Sequence, residues 1–118
     1  MNEETELSPE RAAELLQSGG ADALDVREDY EWEAGRIEGA RHVALGELAG
    51  TAAELDRERP LVVYCRSGSR SEAAAEALRA SGWQAYNLAG GLTAWAEQGL
   101  PLEPESGEVA GSRPGPVT

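Results

Sequence analysis

The chain of 118 residues carries 22 acidic side chains against 10 basic ones, for a formal net charge of −12, and every one of those basic side chains is an arginine. That length suits one domain around a single core and is too short for two, and that charge makes nucleic acid and anionic membranes poor partners. No apolar run approaches the roughly 20 residues of a membrane span, and Met1-Asn2-Glu3-Glu4 is acidic where a secretion signal is basic, so a soluble, cytoplasmic protein is expected.

Ser8-Pro9-Glu10 predicts a helix start, with the serine as cap and the proline at the first helical position, and Ala12, Ala13, Leu15 and Leu16 give the helix an apolar face as far as Gly19-Gly20. Residues 23–26 predict a short strand, residues 28–34 a polar helical turn ended by Gly35, and His42-Val43-Ala44 another short strand. A weak, alanine-rich helix is expected over 47–55. Leu61-Val62-Val63-Tyr64 reads as a buried strand. Ser69 and Glu72 then have the spacing of a capping box, opening a helix over 69–80 that closes at Gly82. A strand over 83–88 and a helix over 92–98, closed by Gly99, complete the pattern. Strands alternating with helices imply parallel pairing, with ligands bound beyond the carboxyl ends of the strands. From Pro101 onward come four prolines, three glycines and almost no large apolar side chain. The expectation is therefore a domain over residues 1–102 followed by a disordered tail over 103–118.

Cys65 is the only cysteine. It permits no internal disulfide and leaves no resolving thiol, so anything it captures covalently must pass to an external acceptor. It lies between the Leu61 strand and the Ser69 helix, where successive loop amides and a helix N-terminus attract anions and lower a thiol's pKa. A cysteine that is only a small buried hydrophobe would have apolar neighbours on both sides; Cys65 has them on its N-terminal side alone, and this marks it as a nucleophile. Residues 59–71 contain Arg59, Arg66 and Arg70 and no carboxylate, a local positive island suited to a small anion.

Four motifs occur in order over about residues 5–102: Asp25-Val26-Arg27-Glu28 with Glu31-Trp32; Gly35-Arg36-Ile37-Glu38-Gly39-Ala40-Arg41-His42-Val43; Cys65 to Arg70; and Gly90-Gly91-Leu92-Thr93-Ala94-Trp95 with Gly99-Leu100-Pro101. Together they resemble the rhodanese family of single-domain sulfurtransferases. The resemblance implies a three-layer α/β fold, with a mainly parallel five-stranded sheet flanked by helices. It also implies that Cys65 becomes a persulfide cradled by the backbone amides of Arg66, Ser67, Gly68, Ser69 and Arg70. The thiolate would attack the outer sulfur of a small anionic donor such as thiosulfate and expel sulfite, and an acceptor thiol, protein or cyanide would then remove the sulfur. No metal or organic cofactor is implied, and nothing in the sequence sets an oligomeric state.

Within that scheme Arg66 and Arg70 hold the donor's sulfonate, and Gly68 supplies a positive φ. The hydroxyls of Ser67 and Ser69 are available to the sulfur, although Ser69 also suits a plain helix cap. Asp25 either orients the loop amides or pairs with Arg27 to fix a turn. His42 belongs to a strand motif away from the nucleophile, and Trp32, Trp83 and Trp95 suit core and lid packing. Two positions depart from the family pattern: Arg36 stands where a histidine is common and Ala44 where a proline is common. An alternative is a persulfide carrier or docking module between protein partners, whose basic surfaces the acidic excess would suit. A cysteine phosphatase is a weaker fit, because such enzymes place one more residue between cysteine and arginine than the four found here.

Overall fold

Four consecutive residues, Leu61-Val62-Val63-Tyr64, are all buried, which a strand achieves only in the middle of a sheet covered on both faces. The computed structural model describes residues 5–110, and this run lies at its centre. The strands are β1 (Glu6–Leu7), β2 (Asp22–Asp25), β3 (Arg41–His42), β4 (Leu61–Tyr64) and β5 (Ala85–Leu88); the helices are α1 (Pro9–Gln17), α2 (Asp29–Ala34), α3 (Leu48–Thr51), α4 (Ser69–Ala80) and α5 (Gly91–Glu97). The five strands form one sheet in the order β1-β5-β4-β2-β3, and every neighbouring pair is parallel.

Side chains alternate across a strand, so β4 feeds two cores. Leu61 and Val63 pack on one face with Ala74, Ala75 and Leu78 of α4 and with Leu48 and Leu55. Val62 and Tyr64 pack on the other face with Ala12 and Ala13 of α1 and with Leu92 and Trp95 of α5. This is the expected three-layer α/β arrangement, and it brings the end of β4 to the start of α4 at the carboxyl edge of the sheet. No helix among the described residues is long and apolar enough to cross a membrane.

Several elements differ from expectation for identifiable reasons. β1 has only two residues, too few for any periodicity, and it exists through its partner: Asn87 N–H donates to Thr5 O at 2.9 Å and Ala89 N–H to Leu7 O at 2.8 Å. The helix expected over 47–55 is broken into α3 and a flanking 3₁₀ turn on each side; Gly50 and Thr51, poor helix formers, lie inside α3 itself, which is only four residues long. α4 has the expected bounds but not the expected cap. Its N-cap is Gly68, at φ 105°, and Ser69 caps nothing. The two amides that a Ser69 cap would take are occupied: Ser71 N–H points to Cys65 Sγ at 3.4 Å and Glu72 N–H to Gly68 O at 3.0 Å.

The expected boundary at residue 102 also moves. Arg36 and Glu103 exchange backbone hydrogen bonds of 3.0 and 2.7 Å, Glu108 N–H donates to Ala34 O at 2.8 Å, and Leu102 and Val109 pack against the core shared by α1 and α5. Residues 103–110 are therefore part of the packed unit. The remainder of the expected tail, 111–118, lies outside the described residues.

Candidate active site

Where β4 ends, the chain must turn out of the sheet, and Cys65 is the first residue to do so. Its side chain is only 1% exposed, and its sulfur is surrounded by donors. Gly68 N–H lies 3.1 Å from Sγ, Ser71 N–H 3.4 Å and Ser71 Oγ 3.4 Å. Gly68 reaches this conformation at φ 105°, which a side chain would resist. Burial pushes the thiol's pKa up. Hydrogen bonds from the Ser71 hydroxyl and from the amides of Ser71, Gly68 and Ser67 outweigh that effect, and the thiol settles below its ordinary value.

The amides face inward because the carbonyls are held elsewhere. Leu92 N–H at the start of α5 donates to Cys65 O at 2.9 Å, and Thr93 N–H to Arg66 O at 3.0 Å. Gly91 makes this approach possible: a Cβ there would lie 2.5 Å from Arg66 O and 2.6 Å from Cys65 O. Asn87 of β5 completes the support. Its amide nitrogen donates to Gly68 O at 3.2 Å, and its Oδ1 accepts the Ser71 hydroxyl at 2.5 Å. A hydroxyl has one proton, so Ser71 divides it among Asn87 Oδ1, Gly68 O at 3.2 Å and the sulfur, whereas the backbone amides do not compete.

The expected contacts of the loop's other residues need correction. Ser67 and Ser69 are exposed, and neither hydroxyl is among the donors to the sulfur; that task belongs to Ser71, which carried no special signal in an alanine-rich helix. Arg70 is not free to hold a donor. Its Nη1 and Nη2 donate to Oε1 and Oε2 of Glu31 at 2.8 and 2.9 Å, and Glu31, from α2, is 2% exposed. Donating to Glu31 raises the guanidinium's pKa beyond its already high value. Burial pushes the Glu31 carboxyl up, but the hydrogen bonds from Arg70 and from Glu28 N–H win and hold it below the usual carboxylate range. Arg66, half-buried, keeps a guanidinium with no hydrogen-bonded or ion-paired partner among the described residues.

Asp25 does not orient the loop amides. It is fully buried and committed to Arg27, which donates to it through Nη2 at 2.6 Å, Nε at 2.9 and 3.1 Å, and its backbone N–H at 2.9 Å. Arg27 Nη2 also donates to Gly35 O at 2.8 Å, so the pair ties the end of β2 to the turn after α2. His42 Nε2–H donates to Arg27 O at 2.7 Å, and its ring stacks on Trp32 with centroids 4.8 Å apart, a structural role as expected. Arg36, at a position of departure from the family pattern, lies 4.8 Å from the centroid of the same Trp32 ring. Trp83 and Trp95 are core residues; Trp32 is not.

The chain as a whole resembles several known proteins. In Bacillus subtilis the protein YqhL is 41% identical over 76 residues, which make up 64% of this chain and 60% of that protein. The thiosulfate sulfurtransferase GlpE of Pseudomonas aeruginosa is 34% identical over 104 residues, 87% of this chain and 93% of that one. The crystal structure of a rhodanese-related protein from Thermoplasma volcanium matches with a TM-score of 0.79 and 30% identity, over 82% of this chain and 95% of that chain. Residues 8–98 match the rhodanese-like domain family, and the chain belongs to it.

Proposed function

We propose that the protein is a sulfurtransferase that carries sulfane sulfur as a persulfide on Cys65. The observation that carries this reading is the sulfur's environment: a thiol with lowered pKa facing the Gly68 and Ser71 amides, with the Arg66 cation, unpaired among the described residues, in the same loop. The Cys65 thiolate attacks the outer sulfur of thiosulfate or a related donor; the donor's S–S bond breaks and sulfite leaves with the electron pair. The loop amides then stabilise the terminal sulfur's charge as they stabilised the thiolate's. A thiolate, a protein thiol or cyanide attacks that sulfur and Cys65 leaves as thiolate again. Both steps are displacements at sulfur and call on no metal or organic cofactor.

Arg66 is the group that meets the donor's sulfonate, since Arg70 is taken by Glu31. A carrier passing sulfur between protein partners would use the same persulfide, and the acidic surface would favour basic partners. A phosphatase needs an arginine turned into the loop; here position 71 is a serine that faces the sulfur. Intact-mass spectrometry after mixing with thiosulfate tests the proposal. A gain of about one sulfur atom, absent from Cys65→Ser and removed by cyanide, is the expected result. No gain would reject thiosulfate as the donor.

A further inference from the structure

We propose that Glu31 sets the anion selectivity of the loop: by holding both terminal nitrogens of Arg70 it keeps that guanidinium away from the space in front of Cys65, so that a tetrahedral oxyanion such as phosphate finds no fork of donors there. The proposal rests on the reading of this loop as the sulfur site. Both oxygens of Glu31 are engaged, and Oε1 also accepts Glu28 N–H at 3.0 Å, so the carboxylate is fixed before Arg70 reaches it. With its side chain 2% exposed, Glu31 cannot exchange Arg70 for water. An oxyanion that drew Arg70 inward would strand a buried carboxylate, which opposes the exchange.

The charges near the sulfur support the same assignment. Asp25 neutralises Arg27 and Glu31 neutralises Arg70, which leaves Arg66 as the loop cation without an ion-pair partner among the described residues. A single positive charge matches a single thiolate or persulfide. An inorganic dianion lodged among the loop amides, beside a thiolate, would have no second cation. Thiosulfate escapes this limit because only its outer sulfur must reach Cys65, with its sulfonate turned outward to Arg66. Glu31 acts through Arg70 and is a positioning residue.

The test is a titration of the full chain with inorganic phosphate at constant ionic strength, followed by NMR at the Gly68 and Ser71 amides. Glu31→Gln frees Arg70 and is expected to bind phosphate at least about tenfold more tightly than the native protein, the scale of one charge-assisted hydrogen bond. Glu31→Gln combined with Arg70→Ala is expected to return to the native affinity. Glu33→Gln, an exposed change of equal charge on α2, is expected to stay native. Should Glu31→Gln fail to fold, Glu31→Asp keeps the buried charge but is too short for both contacts, and an intermediate affinity is expected. Native phosphate affinity in whichever of these two variants folds, or a gain that survives Arg70→Ala or is matched by Glu33→Gln, would overturn the proposal. The thiosulfate mass gain is scored separately: its absence refutes the donor chemistry and leaves the phosphate result standing, and the reverse holds equally.

Discussion

The sulfur of Cys65 draws on two kinds of donor that respond differently to change. The amides of Gly68 and Ser71 are fixed by the backbone, while the Ser71 hydroxyl is shared with Asn87 Oδ1, 2.5 Å away. Ser71→Ala should therefore raise the thiol's pKa, since the hydroxyl is one of the donors that hold it down. The pH dependence of alkylation by iodoacetamide measures this, because only the thiolate reacts. In the native protein the rate rises at a pH below the ordinary thiol value, and in the variant its midpoint moves upward; an unmoved midpoint would remove the hydroxyl from the site. Cys65 and Gly68 were legible in the sequence because their roles are local: a strand end, a tight turn, a helix start. Ser71 and Asn87 were not. They meet because β5 pairs with β4, placing Asn87 beside Val63, and nothing in either residue's neighbourhood announces that pairing. Arg70 misled for the same reason. The carboxylate-free window around it is real along the chain, and α2 fills it from 39 residues away.

At the level of α4, the helix start is determined by what the sulfur takes. A serine that caps a helix is worth about 1 kcal/mol, whereas Ser69 makes no cap bond and is exposed. Ser69→Ala should therefore change stability by less than about 0.5 kcal/mol. Gly68→Ala should cost about 1–2 kcal/mol from backbone conformation alone, since φ is 105° and the nearest atom to an added Cβ lies at an ordinary 3.5 Å. Urea unfolding of the two variants separates them, and a larger loss in Ser69→Ala than in Gly68→Ala would restore the serine as cap. The helix itself was fully legible, both bounds included, because an alanine-rich run between a glycine loop and Gly82 leaves few alternatives. The capping-box signal failed because a motif of side-chain types does not reveal that a nearby thiol has claimed one of those amides and the Gly68 carbonyl the other.

Across the whole molecule, composition was a good guide to charge and a poor one to packing. The segment 103–110 is acidic and poor in large side chains, yet it is held, because Arg36 and Glu103 pair through their backbones and Val109 adds to an existing core; a segment that borrows a core needs little apolar content of its own. The charge has a kinetic consequence. With a Cα radius of gyration of 13.7 Å, much of the surface charge acts on the loop when the screening length is about 30 Å, at 0.01 M salt. On the proposed chemistry, a thiosulfate dianion approaching then meets the field of a chain with net charge −12, and Arg66 alone does not reverse it at long range. At 0.1 M salt the screening length falls to about 10 Å, the distant carboxylates fade and Arg66 dominates. Raising salt over this interval should increase kcat/KM for thiosulfate, roughly twofold to tenfold, opposite to the behaviour of an enzyme with a basic surface. Arg66→Ala should lower kcat/KM at every salt concentration, chiefly through a higher KM, and steepen the rise. A rate that fell with salt in the native protein would mean that the arginine outweighs the remaining surface even at long range, and the acidic excess would then have no part in how the donor arrives.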